Sequence, residues 1–266
     1  MKETLNILFV GNIIGEPGFN LTKSLLPSFI SKYKINFVIA NGENISGGMG
    51  LLEKDAKDLL DLDIDVLTGG NHTMDKLQAH RYINQAEDVL RPMNYPRGAY
   101  GFGFGVYSVP GFECKVGVVN LQGRVFMKAI DCPFRSFDWG YEKIKEKTNI
   151  IIVDFHAEAT SEKIAFGWYV DGRATAVFGT HTHVQTADSR ILPGGTAYIT
   201  DIGMTGPYDS VIGMKKEQSI KRFVYATPQK HEVATDDLRF AAVHCEIDTE
   251  TGKALSINRI LYPELN

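Results

Sequence analysis

Five clusters of small, polar and histidine residues punctuate this 266-residue chain, each directly after a short apolar run. Gly11-Asn12 follows ILFV, Asn41-Gly42-Glu43-Asn44 follows FVIA, and Gly69-Gly70-Asn71-His72 follows VLT. Asp154-Phe155-His156 follows IIIV, and Gly179-Thr180-His181-Thr182-His183 follows AVF. Four of the seven histidines thus stand at the ends of apolar runs. A lone histidine is usually a surface or hydrogen-bonded core residue, and His80, His231 and His244 are assigned that role. Four in equivalent places ask for another explanation. Imidazole nitrogen, carboxylate and amide oxygen together make a mixed N/O shell suited to Fe, Mn or Zn. All-oxygen Ca²⁺ or Mg²⁺ sites need no imidazole, and structural zinc would bring cysteines. Two such cations ~3.5–4 Å apart can hold a bridging hydroxide and clamp the oxygens of an in-line phosphoryl displacement. Glu43 is the carboxylate best placed to bridge them. The spacing of His181 and His183 predicts two imidazoles on one side of an extended segment.

Something must hold these clusters together. The runs at 7–10, 37–40, 66–68, 116–119, 150–153 and 176–178 are short and rich in β-branched residues, as suits strands buried on both faces. Segments of helical period lie between them at 21–33, 53–60, 75–85, 137–147 and 161–169, the last with Ser161 placed to start a helix. Runs at 240–247 and 254–261 flank a turn at Thr251-Gly252, which is a hairpin signal. Alternating units followed by a hairpin predict an α/β fold with a mixed sheet or a second sheet. In open α/β sheets, sites gather beyond the carboxyl ends of the strands, where all five clusters fall. Gly11, Gly15 and Gly18 do not have dinucleotide-loop spacing, and Gly101 to Gly105 (GFGFG) reads as a loop leading into a strand.

The chain is 44% hydrophobic and 23% charged with a net charge of −4, the profile of an ordinary globular protein, and it shows no repeat or linker. One domain over 1–266 is expected. A mildly acidic balance argues against an extended nucleic-acid-binding surface, while a small patch could still hold one nucleotide. Three cysteines without a CxxC pair suit a reducing compartment. No stretch approaches the roughly 20 apolar residues of a membrane span, and the first apolar run is too short for a secretory signal. The expected location is the cytoplasm.

The segments NGEN (41–44), GGNHT (69–73), DFHAEATSEK (154–163), GTHTHVQTAD (179–188) and TDIGMTGP (200–207) resemble the YmdB-type branch of the calcineurin-like metallophosphoesterases. The similarity runs from ILFVG to the final hairpin. It implies a four-layer α/β/β/α sandwich with two packed mixed β-sheets, two transition-metal ions per chain, and hydrolysis of phosphodiesters such as 2′,3′-cyclic nucleotides. By this resemblance Glu43 bridges the metals. One metal also takes Asn12, Asn44 and His183, and the other takes Asn71, His156 and His181. His72 resembles the family's general acid, a role that suits an imidazole near neutral pH. Asp154, Glu158 and Thr182 are candidates for orienting the imidazoles. The family's tendency to oligomerise makes a homo-oligomer reasonable.

One position departs from the pattern. The family has Gly-Asp at the first strand end, and here it is Gly11-Asn12. An amide oxygen can coordinate but brings no charge, so the first cation should be held more weakly. A non-catalytic scaffold that binds a nucleotide or a protein partner is the alternative this substitution raises. An HxH amidohydrolase is disfavoured because its eight-stranded barrel leaves no place for the late hairpin.

Overall fold

Inward and outward apolar residues alternate along the buried strands, and that alternation sorts the chain into layers. The computed structural model describes residues 3–265. One sheet contains β1 (Thr4–Val10), β2 (Asn12–Ile13), β3 (Phe37–Asn41), β4 (Val66–Thr68), β11 (Met204–Pro207), β12 (Leu238–Asp248) and β13 (Ala254–Tyr262). The other contains β5 (Phe104–Ser108), β6 (Lys115–Gln122), β7 (Ile150–His156), β8 (Ala176–Thr180), β9 (Arg190–Ile191) and β10 (Ala197–Ile199). Each sheet mixes parallel and antiparallel pairs: β1–β3–β4 and β6–β7–β8 are parallel, while β12 runs antiparallel to β1 and β13.

Leu5, Ile7 and Phe9 pack with Ile150, Ile152 and Phe178 between the sheets. Phe9 meets Phe178 edge to face at 5.6 Å across that interface. The intervening residues point outward. Leu8 and Val10 pack under α1 (Gly15–Tyr33) and α2 (Glu53–Leu60), and Ile151 and Val153 pack under α4 (Pro133–Ile144) and α5 (Thr160–Val170). Each such side chain, fully buried, stabilises the fold by about 1.5–3 kcal/mol. The result is the expected four-layer α/β/β/α sandwich, and the late hairpin forms as β12 and β13. Among the described residues no helix is long and apolar enough to cross a membrane.

Several boundaries differ from expectation. Helix α1 starts at Gly15 rather than at 21, where a Cβ on Gly18 would lie 2.5 Å from the Thr205 carbonyl oxygen, so glycine lets the helix approach β11. The predicted helix 75–85 shrinks to a 3₁₀ turn at Leu77–Ala79 and the four-residue α3 (His80–Ile83). Its first residues are committed to the loop below, where Asp75 faces His72 and the Thr73 hydroxyl binds Gly70. Helix α5 starts at Thr160 after Ala159 with no side-chain cap, so Ser161 does not cap it. Helix α6 (Lys216–Tyr225) lies in a long excursion between β11 and β12.

Candidate metal centre

The carboxyl ends of β1, β3 and β4 from one sheet meet those of β7 and β8 from the other. Asp154, fully buried on β7, ties the two sheets together beneath the junction. It accepts hydrogen bonds from Asn41 Nδ2 (2.9 Å) and Thr68 Oγ1 (2.6 Å) of one sheet and from Thr180 Oγ1 (2.6 Å) of its own. Burial pushes its carboxyl upward from the usual range, and these donors with His156 oppose the shift.

The Thr180 hydroxyl has one hydrogen and directs it to Asp154. It therefore meets His156 Nδ1, at 2.9 Å, as an acceptor, and the proton sits on Nδ1. His156 Nε2 keeps its lone pair. Around that nitrogen stand Glu43 Oε1 at 3.0 Å, Asn71 Oδ1 at 2.9 Å and His181 Nδ1 at 3.0 Å. The far nitrogen of His181, Nε2, lies 3.0 Å from Glu158 Oε2, which places its proton there and leaves Nδ1 a free lone pair. Four lone pairs thus converge with no hydrogen among them, an arrangement that a cation satisfies. The candidate ligand atoms of Glu43, His156 and His181 all lie within 4.8 Å of one another. Gly70 closes the cradle: a Cβ there would sit 2.3 Å from His156 Nε2 and 2.5 Å from Glu43 Oε2. Burial would raise the Glu43 carboxyl, and the His72 backbone N–H on Oε2 opposes that rise. Burial pushes His181 down to about 3, so it stays in its ligating form at neutral pH.

His183 stands outside that group. Its Nδ1 donates to the Ile212 carbonyl at 2.9 Å, leaving Nε2 free, and burial lowers its pKa. The extended segment predicted for His181 and His183 is not present. β8 ends at Thr180, and the two histidines take φ values of 99° and 66°, a region that costs ordinary residues on the order of 1–3 kcal/mol each. What holds the turn is a buried ion pair that the sequence did not reveal. Lys163 Nζ donates to Asp201 Oδ2 and to the Thr180 carbonyl, both at 2.7 Å, and Asp201 Oδ2 also accepts the Thr182 backbone N–H at 3.0 Å. Thr182 thus enters through its backbone; the hydroxyl that orients an imidazole belongs to Thr180.

Asn12 is fully buried at the edge of the centre. Its Nδ2 donates to Asn41 Oδ1 (3.1 Å) and Asn44 Oδ1 (3.3 Å), and its Oδ1 lies 3.5 Å from the His181 backbone N–H. Where the sequence resemblance implies a carboxylate, this chain turns an amide N–H toward Asn44. On the opposite side, the His72 backbone N–H donates to Glu43 Oε2 at 3.0 Å, and its Nδ1 faces Asp75 Oδ2 at 2.7 Å. Asp75 was missed as a partner because its place in the sequence suggested only a helix start. Tyr95, whose hydroxyl burial pushes up to about 12, lies behind this loop with Gly70 O at 3.2 Å and Gln122 Oε1 at 3.3 Å.

The chain as a whole is similar to several known proteins. A family model described as YmdB-like protein matches residues 8–260. A 2′,3′-cyclic-nucleotide 2′-phosphodiesterase of Bacillus subtilis is 48% identical over 257 residues, covering 97% of both chains. A crystal structure described as a novel phosphatase of Mycoplasma pneumoniae superposes with a TM-score of 0.91 at 37% identity, covering 98% of this chain and 94% of that one. The crystal structure of a hypothetical protein from Thermus thermophilus gives 0.90 at 40% identity, covering 98% and 100%.

Proposed function

This chain belongs to the YmdB-like family, and on that premise we propose that it hydrolyses 2′,3′-cyclic nucleotides at a two-cation centre to which both sheets contribute. The observation that carries the proposal is the convergence of Glu43, Asn71 and His181 on the unprotonated nitrogen of His156. One cation would be held by Asn71, His156 and His181, the other by Asn12, Asn44 and His183, with Glu43 between them. This N/O set suits Fe or Mn, and also Zn. When bound, the ions supply Lewis acidity and a water acidic enough to attack at neutral pH.

The chain's own groups do the rest. The P–O2′ bond breaks as water adds to phosphorus, and the departing ribose O2′ takes its proton from His72, leaving a nucleoside 3′-phosphate. Asp75 holds His72 Nδ1–H, so Nε2 carries the transferable proton. The His72 backbone N–H on Glu43 keeps the acid in register with the carboxylate that would lie between the two ions. Turnover is favoured over a binding-only scaffold because a relative this similar bears a phosphodiesterase name.

Residues 1–266 act as one unit in this scheme, since neither sheet alone supplies the ligands. The free thiols of Cys114, Cys132 and Cys245 suit a cytoplasmic setting. Helix α6 has no buried residue and exposes Ile220, Phe223, Val224 and Tyr225, which supports self-association, testable by sedimentation.

The central test is the hydrolysis of adenosine 2′,3′-cyclic phosphate by protein loaded with Mn²⁺ or Fe²⁺. The expected product is the 3′-phosphate, and His72→Gln should lower kcat by about 10²–10⁴-fold with metal content unchanged. Formation of the 2′-phosphate, or an unaltered kcat in the variant, overturns the assignment.

A further inference from the structure

A groove of about 1010 Å³ runs along the free edge of β5. Because β5 is antiparallel to β6, its first residues lie beside Val119 and Asn120, near the end of β6 where Gln122 pairs with His156. One end of the groove, at Tyr95, therefore lies on the side of the sheet that carries the metal centre, and the groove extends from there toward Tyr107 and Lys147. Tyr95 is the partition. Its ring lines the groove, and its hydroxyl reaches the Gly70 carbonyl of the loop that carries Asn71 and His72.

The lining chemistry is specific. Four cationic side chains (Arg91, Arg97, Arg135 and Lys147) face two acidic ones (Glu87 and Asp131), in a chain whose net charge is −4. Arg91 is engaged by the backbone carbonyls of Pro92, Met93, Ala99 and Tyr100, which fix its position without cancelling its charge. Arg97 and Arg135 are exposed and, among the described residues, form no ion pair. Exposed aromatic side chains share the lining, with Phe102 39% and Trp139 57% exposed. Unpaired guanidinium groups beside open aromatic rings are what single-stranded nucleic acid requires: charge for the phosphates and platforms for the bases. An acidic peptide would use the charges and leave the rings idle.

We propose that this groove binds the nucleotides upstream of a 2′,3′-cyclic phosphate at the 3′ end of a short single-stranded RNA, so that such oligonucleotides are substrates of the adjacent centre. The proposal rests on the cyclic-nucleotide assignment above. Tyr95 ties one end of the groove to the 70–72 loop, so a substrate whose terminal ribose is protonated by His72 would have its 5′ side within reach of the groove.

The test compares adenosine 2′,3′-cyclic phosphate with a tetranucleotide bearing the same terminal group. The tetranucleotide should show kcat/KM at least tenfold higher, mainly through KM, and with the steeper salt dependence. Trp139→Ala and Arg135→Glu should each remove roughly tenfold of that advantage and leave mononucleotide turnover as it was. Equal kcat/KM for the two substrates, or variants that impair both alike, would overturn the groove assignment. Binding of a 3′-phosphorylated tetranucleotide, read by fluorescence anisotropy, judges the groove without catalysis. Binding weakened by Arg135→Glu supports it, whereas undiminished binding, or stronger competition from a polyglutamate peptide, refutes it. Failure to hydrolyse either substrate counts against the cyclic-nucleotide assignment alone.

Discussion

Lys163→Met isolates the device that shapes the histidine turn. Lys163 is 1% and Asp201 0% exposed, and their 2.7 Å contact leaves neither charge in reach of water. Removing the ammonium strands a carboxylate that still accepts the backbone N–H groups of Thr182 and Gly203. Breaking a buried pair in this way costs about 3–5 kcal/mol, although the intact pair itself contributes little net stability. For a chain of this size that is a fall on the order of 10 °C in Tm. The measurement is urea unfolding in EDTA, which keeps metal binding out of the stability, for wild type, Lys163→Met and Lys163→Met/Asp201→Asn. The double variant carries no stranded charge and should be the more stable of the two, with a coupling energy of about 2 kcal/mol or more. Metal titration should then show affinity reduced about 10–100-fold in both variants, because the turn bearing His181 and His183 has lost its anchor. A single variant that loses under about 1 kcal/mol, or a double variant that simply adds a second loss, would refute the clamp.

Three further outcomes are expected. Gly70→Ala should lower metal affinity on the order of 100-fold, seen by elemental analysis, because its Cβ would lie 2.3 Å from His156 Nε2; normal metal content would refute the cradle. Asn12→Asp should destabilise the metal-free protein by about 2 kcal/mol or more, since a buried carboxylate replaces a donor facing two amide oxygens. Metal should more than restore that loss and bind at least about tenfold tighter than in wild type, and indifference to metal in a thermal melt would sink the claim that position 12 limits the site. Burial holds His244 below its ordinary value of 6.5, so the unfolded chain takes up that proton first. Its stabilising contribution is complete above about pH 6.5 and is lost as pH falls toward the folded value. EDTA-treated His244→Gln should therefore lose less stability than wild type between pH 7.5 and 5.5, and parallel profiles would contradict this.

The layers were legible because strands buried on both faces leave an unambiguous trace, and IIIV at 150–153 serves the sheet–sheet core and the helix layer alternately. The same rule exposed the strand-end clusters. Two-residue strands such as β2 and β9 carry no period at all and escaped notice. Among the site residues, those with distinctive chemistry were visible, while those acting through common groups were not. Thr180 and Asn41 were in view within GTHTH and NGEN, yet only the fold shows that one hydroxyl sets the His156 tautomer or that one amide joins the sheets.

Lys163 and the His181–His183 turn show the deeper reason. Lysine early in an amphipathic helix is ordinarily solvent-exposed, and HxH after a strand is ordinarily extended. Each rule fails here because the other does. Two histidines at φ 99° and 66° need an anchor that local sequence cannot supply, and a buried ammonium needs a carboxylate and a carbonyl that only such a turn presents. Asp201 and Thr180 lie 38 and 17 residues from Lys163, so no window of the chain contains the whole device. Local rules broken together at one place mark where tertiary structure has been shaped to hold ligands rather than to fold most easily. The Lys163→Met comparison therefore bears on function as well as stability: if the turn keeps its metal without the clamp, the strain has another source.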